Sequence, residues 1–331
     1  MKNKSILFSS VFLMCLSACS TNVRHDIKEY ILETNYKDNY RILQLTDIHL
    51  SDKDNYQTHF DFMDLTIKEA NPDMIIVTGD IFTFASKTTA KRLFKFLDSY
   101  NVPWTVTFGN HDEQCYFSVD WVTSVLNNYG SYCLFKDIQN DDVQGNANFA
   151  INLMQGDKVF EQLIIMDSNR YSFSEMGYDY FKKNQIEWYE RLVDYTTEKN
   201  EGVVPSLMFY HIPLPEINNV WDDAQAKKDD ATLIVGEKGE ASCNPDYNSG
   251  FFEVIKAKRS TTGMYFGHDH INNFIVKYKV DDTYSIDFGY GVKATDRVYY
   301  EDAMLGGRVI TLKNDHSVEY QDYYHTYKEV K

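Results

Sequence analysis

The segment RILQLTDIH, residues 41–49, joins a short apolar run to a cluster of polar side chains, and this pattern recurs along the chain. Its apolar part, residues 41–46, has the length and composition of a buried strand. Residues 74–78 (MIIVT) and 104–108 (WTVTF) have the same character, and polar residues follow each of them as well. The three segments therefore predict three buried strands.

Segments with helical spacing separate these strands. Apolar residues recur with the period of a helix over residues 60–70, and the helix is expected to end at Asn71-Pro72. A second, amphipathic helix is predicted over residues 88–100. Strands that alternate with helices are typical of a parallel α/β sheet.

The second half of the chain contains more strands and one clear helix, predicted around residues 185–197. After His270 the pattern is almost entirely β, which predicts antiparallel strands that form a second sheet. We therefore expect an α/β fold of two packed mixed β-sheets flanked by helices. The strands predicted in this half are residues 149–153, 162–166, 207–210, 264–266, 274–280, 284–288, 308–312 and 318–323.

Polar side chains that suit metal ions follow five of these strands. Ligand sites in α/β proteins lie at the carboxyl ends of strands, so we expect the polar clusters to share one edge of the molecule. Residues two apart in an extended segment point the same way, so Asp47 and His49 can bind one ion, as can His268 and His270. Carboxylates and neutral imidazoles suit Mn, Fe or Zn. The clusters are Asp47-Ile48-His49, Gly79-Asp80, Gly109-Asn110-His111-Asp112, the lone His211, and Gly267-His268-Asp269-His270.

The ordered set DxH, GD, GNHD, H and GHxH, from Asp47 to His270, resembles the calcineurin-like metallophosphoesterase superfamily. Residues 211–216 (HIPLPE), residues 267–274 (GHDHINNF) and the tail from GYG at 289–291 to GRVI at 307–310 resemble a subgroup related to purple acid phosphatases. The resemblance implies the metallophosphoesterase sandwich. One position departs from the purple enzymes, which have a tyrosine three residues after the bridging aspartate. Thr83 stands there in this chain, so no tyrosinate–iron colour is expected.

The resemblance also implies a site with two transition-metal ions, Mn, Fe or Zn, in which a hydroxide bridging the ions hydrolyses a phosphoester. Asp80 would bridge both ions. His111 would approach the leaving-group oxygen without binding a metal, and Asp112 would orient or charge it. The implied ligands are Asp47, His49 and His270 for one ion, and Asn110, His211 and His268 for the other.

The N-terminus predicts export. Lys2 and Lys4 precede an apolar segment, residues 6–16, which is too short to span a membrane and fits a secretory signal. The signal ends in LSAC, which resembles the lipobox of bacterial lipoproteins, whose cysteine, here Cys19, is lipidated. An ordinary secretory signal cleaved nearby is the alternative. The predicted organisation is a signal peptide (1–18), a tether with a first edge element (19–39) and one domain (40–331), held by the lipid on the periplasmic or outer face of a bacterial membrane.

The leading function hypothesis is a phosphomonoesterase that acts on a phosphorylated small molecule or peptide. A phosphodiesterase would use the same metal ligands and stays open. A nuclease is disfavoured, and no nucleic-acid partner is expected, because the net charge is −16 and no basic run is present. A metal-binding surface lipoprotein without activity is a further alternative, although a pure binder has no need of an acid such as His111.

Other residues carry weaker predictions. Cys115 and Cys133 are either a disulfide pair or buried free thiols. Asn169 and Arg170 follow a strand and could contact substrate phosphate, although a surface arginine is the more common role. The acidic stretch 222–241 predicts an exposed loop or lid. The histidines expected to be structural are His25, His59, His316 and His325.

Overall fold

The structure is a computed structural model that describes residues 24–53, 55–138, 142–172 and 177–330. These ranges contain fifteen strands, six α-helices and three short 3₁₀ segments. The strands are β1 (Ile31–Asn35), β2 (Tyr40–Leu45), β3 (Met74–Thr78), β4 (Trp104–Thr107), β5 (Phe149–Gln155), β6 (Lys158–Ile165), β7 (Tyr171–Ser172), β8 (Gly177–Tyr178), β9 (Ser206–Phe209), β10 (Ala231–Val235), β11 (Thr261–Phe266), β12 (Ile275–Asp281), β13 (Tyr284–Tyr290), β14 (Gly306–Leu312) and β15 (Val318–Tyr324). The α-helices are α1 (Tyr56–Ala70), α2 (Lys87–Asp98), α3 (Val119–Leu126), α4 (Lys183–Asn200), α5 (Ile217–Gln225) and α6 (Phe251–Lys258).

Two mixed sheets form the centre of the molecule. The five-stranded sheet has the order β15-β14-β2-β3-β4, in which β2, β3 and β4 are parallel. The eight-stranded sheet has the order β1-β5-β6-β9-β11-β13-β12-β10, in which β6, β9, β11 and β13 are parallel. The predicted α/β class and the parallel arrangement of the first three predicted strands are confirmed.

The sheets pack against each other, and helices cover their outer faces. Alternate residues of β9 and of the position that follows it show this layering, because side chains on a strand point to opposite faces. Leu207 and Phe209 belong to the core shared with the five-stranded sheet, whereas Met208 and Tyr210 belong to a second core that includes residues of α4, α5 and α6. Both β3 and β4 are buried along their whole length, as expected for parallel strands covered on two sides.

The C-terminal strands pair antiparallel as predicted, but they divide between the two sheets, so the prediction that they form one second sheet was wrong. Strands β12 and β13 join the eight-stranded sheet, where β13 runs parallel to β11. Strand β14 instead pairs with β2 and adds β15 to the five-stranded sheet. All seven residues of β14 are buried, so this strand needs cover on both faces and a neighbour on each side.

The acidic stretch 222–241 contains regular structure, so its prediction as a loop or lid was also wrong. Its first residues complete α5, which buries Ile217, Val220 and Ala224 on one face and leaves charged residues on the other. Strand β10 follows and pairs with β12 at the edge of the eight-stranded sheet. Helices α3, α5 and α6 had not been predicted.

The N-terminal predictions lie largely outside the described residues. These include the signal peptide 1–18, Cys19 and the start of the tether. Strand β1 falls within residues 19–39, for which a tether and a first edge element were predicted, and it lies at the edge of the eight-stranded sheet. Among the described residues, no helix combines the length and apolarity needed to cross a bilayer.

Candidate metal centre

The polar clusters meet where parallel strands of both sheets end. Asp47, Asp80 and Asn110 come after β2, β3 and β4, while His211 and His268 come after β9 and β11. Because parallel strands present their carboxyl ends at one edge of a sheet, packing of the two sheets brings the two edges together. Asp80 Oδ2 accordingly lies 3.2 Å from His211 Nε2, although the two residues follow strands of different sheets.

Six of the seven predicted ligands form two overlapping groups of buried donor atoms. Within each group the donor atoms lie within 4.8 Å of one another. Asp80 belongs to both groups, as expected of a bridging carboxylate. The first group is Asp47, His49, Asp80 and His270, and the second is Asp80, His211 and His268.

Asn110, the seventh predicted ligand, lies between two residues that contact Asp80. The backbone N–H of His111 donates to Asp80 Oδ1 at 2.8 Å, and Gly109 packs against the same carboxylate. The Asn110 side-chain amide donates to Tyr171 Oη at 2.8 Å. That hydrogen bond uses the nitrogen and leaves the carbonyl oxygen of Asn110 for a cation.

Four buried ligand atoms lack a well-aligned hydrogen-bond partner in the described part of the chain. A buried polar atom without such a partner costs about 1–3 kcal/mol, so a group of them in one place is unusual. All four belong to the predicted ligand set and are oxygen or nitrogen donors that suit Mn, Fe or Zn. The residues present therefore fit two cations. The four atoms are Asp47 Oδ1, Asn110 Oδ1, His211 Nε2 and His268 Nε2.

The backbone at the ligands adopts conformations that non-glycine residues seldom take. The φ angles of Asp47, His49, Asp80 and His268 are 53°, 50°, 46° and 82°. Such left-handed residues cost free energy and persist only where the surroundings enforce them. These sharp turns at the strand ends bring the ligand side chains toward a common centre.

Two glycines permit the close approach of the ligands. A Cβ on Gly79, whose φ is +84°, would lie 2.6 Å from His211 Cγ. A Cβ on Gly109 would lie 2.3 Å from Asp80 Oδ1. The glycines of the GD and GNHD motifs are therefore required by the packing of the site.

A distant segment holds the turn that carries Asp47 and His49. Residues 293–295, which we call the carbonyl clamp, donate hydrogen bonds to three successive carbonyl groups of that turn. The side chain of Lys293 is buried, and burial lowers the pKa of its ammonium group to about 8, although Asp47 and Asp80 act to raise it. The three bonds run from Ala294 N to Thr46 O at 2.9 Å, from Lys293 Nζ to Asp47 O at 2.8 Å, and from Thr295 Oγ1 to Ile48 O at 2.7 Å.

Each of three ligand imidazoles is oriented through its second nitrogen. Carbonyl oxygens only accept hydrogen bonds, so His211 and His270 carry their proton on Nδ1 and present Nε2 to the site. The outer partners are Thr78 O for His211 at 2.8 Å, Tyr299 O for His270 at 2.7 Å and Thr83 Oγ1 for His49 at 2.8 Å.

Thr83 occupies the position of the tyrosine of purple enzymes, and its hydroxyl reaches the outer nitrogen of His49. We expect iron-loaded protein to lack an intense visible charge-transfer band, because this residue supplies no phenolate. We also expect Thr83→Val to weaken metal binding by about 10–100-fold, the usual effect of removing an outer hydrogen bond to a ligand. Visible absorption and metal titration check the two statements. A purple iron-loaded protein contradicts the first, and unchanged metal affinity in the variant contradicts the second.

Protons and cations compete for this site. Burial by itself lowers the pKa of His211, but the carboxylates of Asp80 and Asp47 raise it to about 10. Burial lowers the pKa of His268 to about 3 and holds that of His49 well below its ordinary value. The two carboxylates therefore favour a proton on His211 that would compete with a cation, whereas burial favours the neutral form of His49 and His268, the form that binds metal.

His111 lies beside the ligands, as predicted, but Asp112 does not contact its ring. The rings of His111 and His49 are 5.2 Å apart and nearly perpendicular. Gln114 Oε1 lies 2.8 Å from His111 Nδ1 and takes the orienting role that had been expected of Asp112. The orienting role predicted for Asp112 is therefore corrected.

Asp112 instead holds the backbone around the ligands. Its carboxylate accepts hydrogen bonds from the backbone N–H groups of Ile81, Phe82 and Gly109, at 2.8–3.0 Å. Because these groups flank the GD and GNHD turns, Asp112 joins the ends of β3 and β4. Burial, with a contribution from the Asp80 charge, raises the pKa of Asp112 to about 7.

The remaining predictions concern residues outside the metal groups. Asn169 is buried and donates to Gln185 Oε1, while Arg170 pairs with Glu113 at 2.6 Å. Cys115 and Cys133 are free, partly buried thiols, which is the second of the two alternatives considered, and Cys243 is a free thiol as well. The four histidines expected to be structural contact groups other than the ligands: His25 lies near Glu29, His59 near Tyr327, His316 near Glu161 and His325 near Glu329.

Sequence reasoning missed the residues that support the ligands. Gln114 lies two residues after the GNHD motif, whereas Tyr171, Tyr299 and the carbonyl clamp contact the site from segments without a metal-binding motif. The clamp could have been suspected, because Lys293 closely follows the GYG element that resembles the purple subgroup. The tyrosines carried no comparable signal in a chain with 25 of them.

Comparison with known proteins places these features in a family. The family model described as calcineurin-like phosphoesterase matches residues 40–281. Two relatives from Arabidopsis thaliana are named "Probable inactive purple acid phosphatase 29" and "Probable inactive purple acid phosphatase 14". The first is 28% identical and covers 86% of this chain and 80% of its own length. The second is 26% identical and covers 82% and 75%.

A solved structure supports the same fold. The dimetal phosphatase from Danio rerio superposes with a TM-score of 0.52 and covers 83% of this chain and 96% of its own chain, at 14% sequence identity. At that identity the likeness concerns the fold alone.

Proposed function

The chain belongs to the calcineurin-like phosphoesterase family, and we propose that it is a metal-dependent phosphomonoesterase. The observation that carries the proposal is the set of four buried ligand atoms without well-aligned hydrogen-bond partners. Beside them lies the half-buried His111, which belongs to neither group of metal donors. The names of the two Arabidopsis relatives describe those proteins as inactive, so the proposal rests on the residues of this chain.

The ligands divide between two cations that share Asp80. Asp47, His49 and His270 would hold one cation, while Asn110, His211 and His268 would hold the other. Bound in this way, two transition-metal ions would polarise the phosphoryl oxygens and lower the pKa of a water molecule. The carbonyl clamp and the outer partners of the histidines fix the ligand geometry before substrate arrives.

Hydrolysis of a monoester needs one water and one proton transfer. The water oxygen forms a new bond to phosphorus, the bond between phosphorus and the leaving-group oxygen breaks, and the products are an alcohol and hydrogen phosphate. In this proposal His111 gives a proton to the departing oxygen, and the attacking water returns a proton to the imidazole. Gln114 Oε1 accepts a hydrogen bond from His111 Nδ1–H, so Nε2 is the nitrogen that would transfer the proton.

The direct test is a substrate screen on the purified protein with Mn, Fe and Zn added separately. We expect hydrolysis of phosphomonoesters that a chelator abolishes and added metal restores. Hydrolysis of diesters in preference to monoesters would favour the phosphodiesterase alternative. Protein that binds two metal ions yet hydrolyses neither class would favour a metal-binding protein without activity.

We further propose that the protein is an exported lipoprotein anchored through Cys19. The support is the short positively charged region, the apolar segment 6–16 and the sequence LSAC before and at residue 19. Stable anchoring needs more than one acyl chain, because a single chain gives marginal binding.

Cys19→Ala is expected to move the protein from the membrane fraction to the soluble fraction of the producing bacterium, because the variant lacks the lipidation site. Fractionation and mass spectrometry of the mature N-terminus check this outcome, with Cys243→Ala as the control because Cys243 lies in the folded domain. Native protein that is soluble, with a mature N-terminus other than residue 19, contradicts the proposal.

A further inference from the structure

Two tyrosines stand beside the metal centre with much of their rings exposed. Tyr171 and Tyr299 are each 45% exposed, whereas most large apolar side chains in the described part of the chain are buried. Tyr171 contacts Asn110 of one cation group, and Tyr299 contacts His270 of the other. The two tyrosines therefore adjoin ligand residues of both proposed cations.

Tyr299 is held in place by three contacts. Its ring stacks on the ring of His270, with centroids 4.1 Å apart and planes 19° apart. Its carbonyl oxygen accepts the hydrogen bond from His270 Nδ1, and its hydroxyl donates to Glu240 Oε1 at 3.1 Å. His270 thus backs one ring face and leaves the rest of the ring accessible.

Tyr171 has a similar arrangement on the other side of the site. Its hydroxyl accepts the hydrogen bond from Asn110 Nδ2, and its ring stacks on Tyr178 at a centroid distance of 5.7 Å and an angle of 26°. Tyr178 in turn meets the ring of His268 edge to face at 4.4 Å. Both exposed tyrosines are therefore fixed before any ligand arrives, so stacking on them costs little side-chain entropy.

We propose that Tyr171 and Tyr299 determine specificity by stacking on a planar ring in the leaving group of the phosphomonoester substrate. The inference rests on the proposed function and names the substrate class of the same site. Stacking of a planar base on an aromatic side chain strengthens binding by about tenfold or more.

The charges around the two rings indicate a leaving group without additional phosphates. Glu240 contacts the hydroxyl of Tyr299, and Glu113 lies three residues after Asn110. Arg170, the residue before Tyr171, is already paired with Glu113 at 2.6 Å. A polyanionic leaving group would meet these carboxylates, so the expected ligand has an uncharged leaving group that bears a nucleobase or a phenyl ring.

Matched substrate pairs separate ring recognition from leaving-group acidity. Adenosine 5′-monophosphate and ribose 5-phosphate both release a primary alcohol of the same sugar, and only the first carries a base. 2-Phenylethyl phosphate and propyl phosphate form the corresponding pair for a phenyl ring. We expect kcat/KM to favour the ring-bearing member of at least one pair by about tenfold or more. The pair with the larger ratio identifies which ring the site accepts.

Variants at residue 299 test whether the tyrosine is responsible. Tyr299→Leu is expected to bring that kcat/KM ratio toward one, whereas Tyr299→Phe keeps the stacking face and is expected to retain it. Because each ratio compares two substrates on the same protein, a general loss of activity cancels. A ratio near one in the native protein, or a ratio that Tyr299→Leu and Tyr171→Leu leave unchanged, overturns the inference.

Equilibrium binding separates failure of this inference from failure of the proposed function. The same pairs are titrated by calorimetry into metal-loaded His111→Ala protein, in which turnover is expected to be slow. Hydrolysis without preference in the native protein contradicts the inference and leaves the proposed function standing. Tighter binding of the ring-bearing members without hydrolysis by the native protein contradicts the proposed function and supports the inference.

Discussion

Asp80→Ala is expected to remove both metal ions and to lower phosphomonoesterase activity by more than about a thousandfold, because the Lewis acids supply several kcal/mol of transition-state stabilisation. Asp80 is the residue shared by the two groups of donor atoms. Loss of an outer partner of a ligand typically weakens binding about 10–100-fold, so loss of a shared ligand should weaken both sites by more than that. Metal content after dialysis and steady-state kinetics measure the two effects.

The metal content of the His49→Ala variant provides the comparison that tests whether Asp80 bridges both ions. His49 belongs to the first group alone, so its variant should keep the ion held by Asn110, His211 and His268. His25→Ala serves as the control, because His25 lies near Glu29, away from the ligands, and its variant should keep both ions. Equal loss of one ion in the Asp80 and His49 variants would show that Asp80 is not the bridge.

The variant Asp80→Asn separates the effect of the negative charge from the effect of the hydrogen bond that Asp80 accepts from the His111 N–H. Asp80 Oδ1 also accepts the N–H of His111, so alanine disturbs the GNHD turn as well as the metals. Asparagine keeps an oxygen acceptor at that position and removes the negative charge. We therefore expect Asp80→Asn to retain the fold by circular dichroism and still to lose affinity for both cations.

The ligands were predictable because they follow a local rule. Each of them lies within four residues of the end of a short apolar strand, and parallel strands bring such positions to a common edge whatever the details of packing. The residues that support the ligands follow no local rule. Lys293 Nζ contacts Asp47 O across 246 positions of sequence, and Tyr171 reaches Asn110 across 61. Those contacts depend on how the sheets and loops pack, which the pattern of one segment does not determine.

The C-terminal strands illustrate the same limit for the fold. Alternating patterns indicated that neighbouring strands would pair, and β12 with β13 and β14 with β15 do so. The pattern did not indicate which sheet each pair would join. Arg308 in β14 also departs from the usual rule that arginine is exposed. Here its guanidinium is buried and is satisfied by Asp322 and by the carbonyl oxygens of Tyr290 and Asn273.

The position of Asp112 in the GNHD motif did not predict which groups its carboxylate contacts. Asp112 is adjacent to His111 in sequence, yet its carboxylate points to the backbone of the turns that carry Asp80 and Asn110. In the short 3₁₀ segment Asp112–Gln114, the side chain placed next to the His111 ring is that of Gln114, three residues on. The pairing of the His111 imidazole with Gln114 follows from this local geometry.

His111→Ala is expected to lower kcat by about 10²–10⁴-fold, the range typical of positioned proton transfer, while both metal ions stay bound. The ring of His111 lies beside His49, but its Nδ1 contacts Gln114 and it belongs to neither group of metal donors. Steady-state kinetics and metal analysis of the same preparation measure the two quantities. Loss of metal would identify His111 as a ligand and require the site to be reassigned.

The dependence on the leaving group tests the role of the proton. Nitrophenol leaves without protonation, so the loss caused by His111→Ala should be smaller for nitrophenyl phosphate than for an alkyl phosphate. Gln114→Leu serves as a milder variant, because it removes the hydrogen bond to His111 Nδ1 and keeps the imidazole. We expect it to lower kcat as well, but by less than His111→Ala. A His111→Ala loss that is equal for both leaving groups would point to electrostatic stabilisation of the transferring phosphoryl group instead of proton donation.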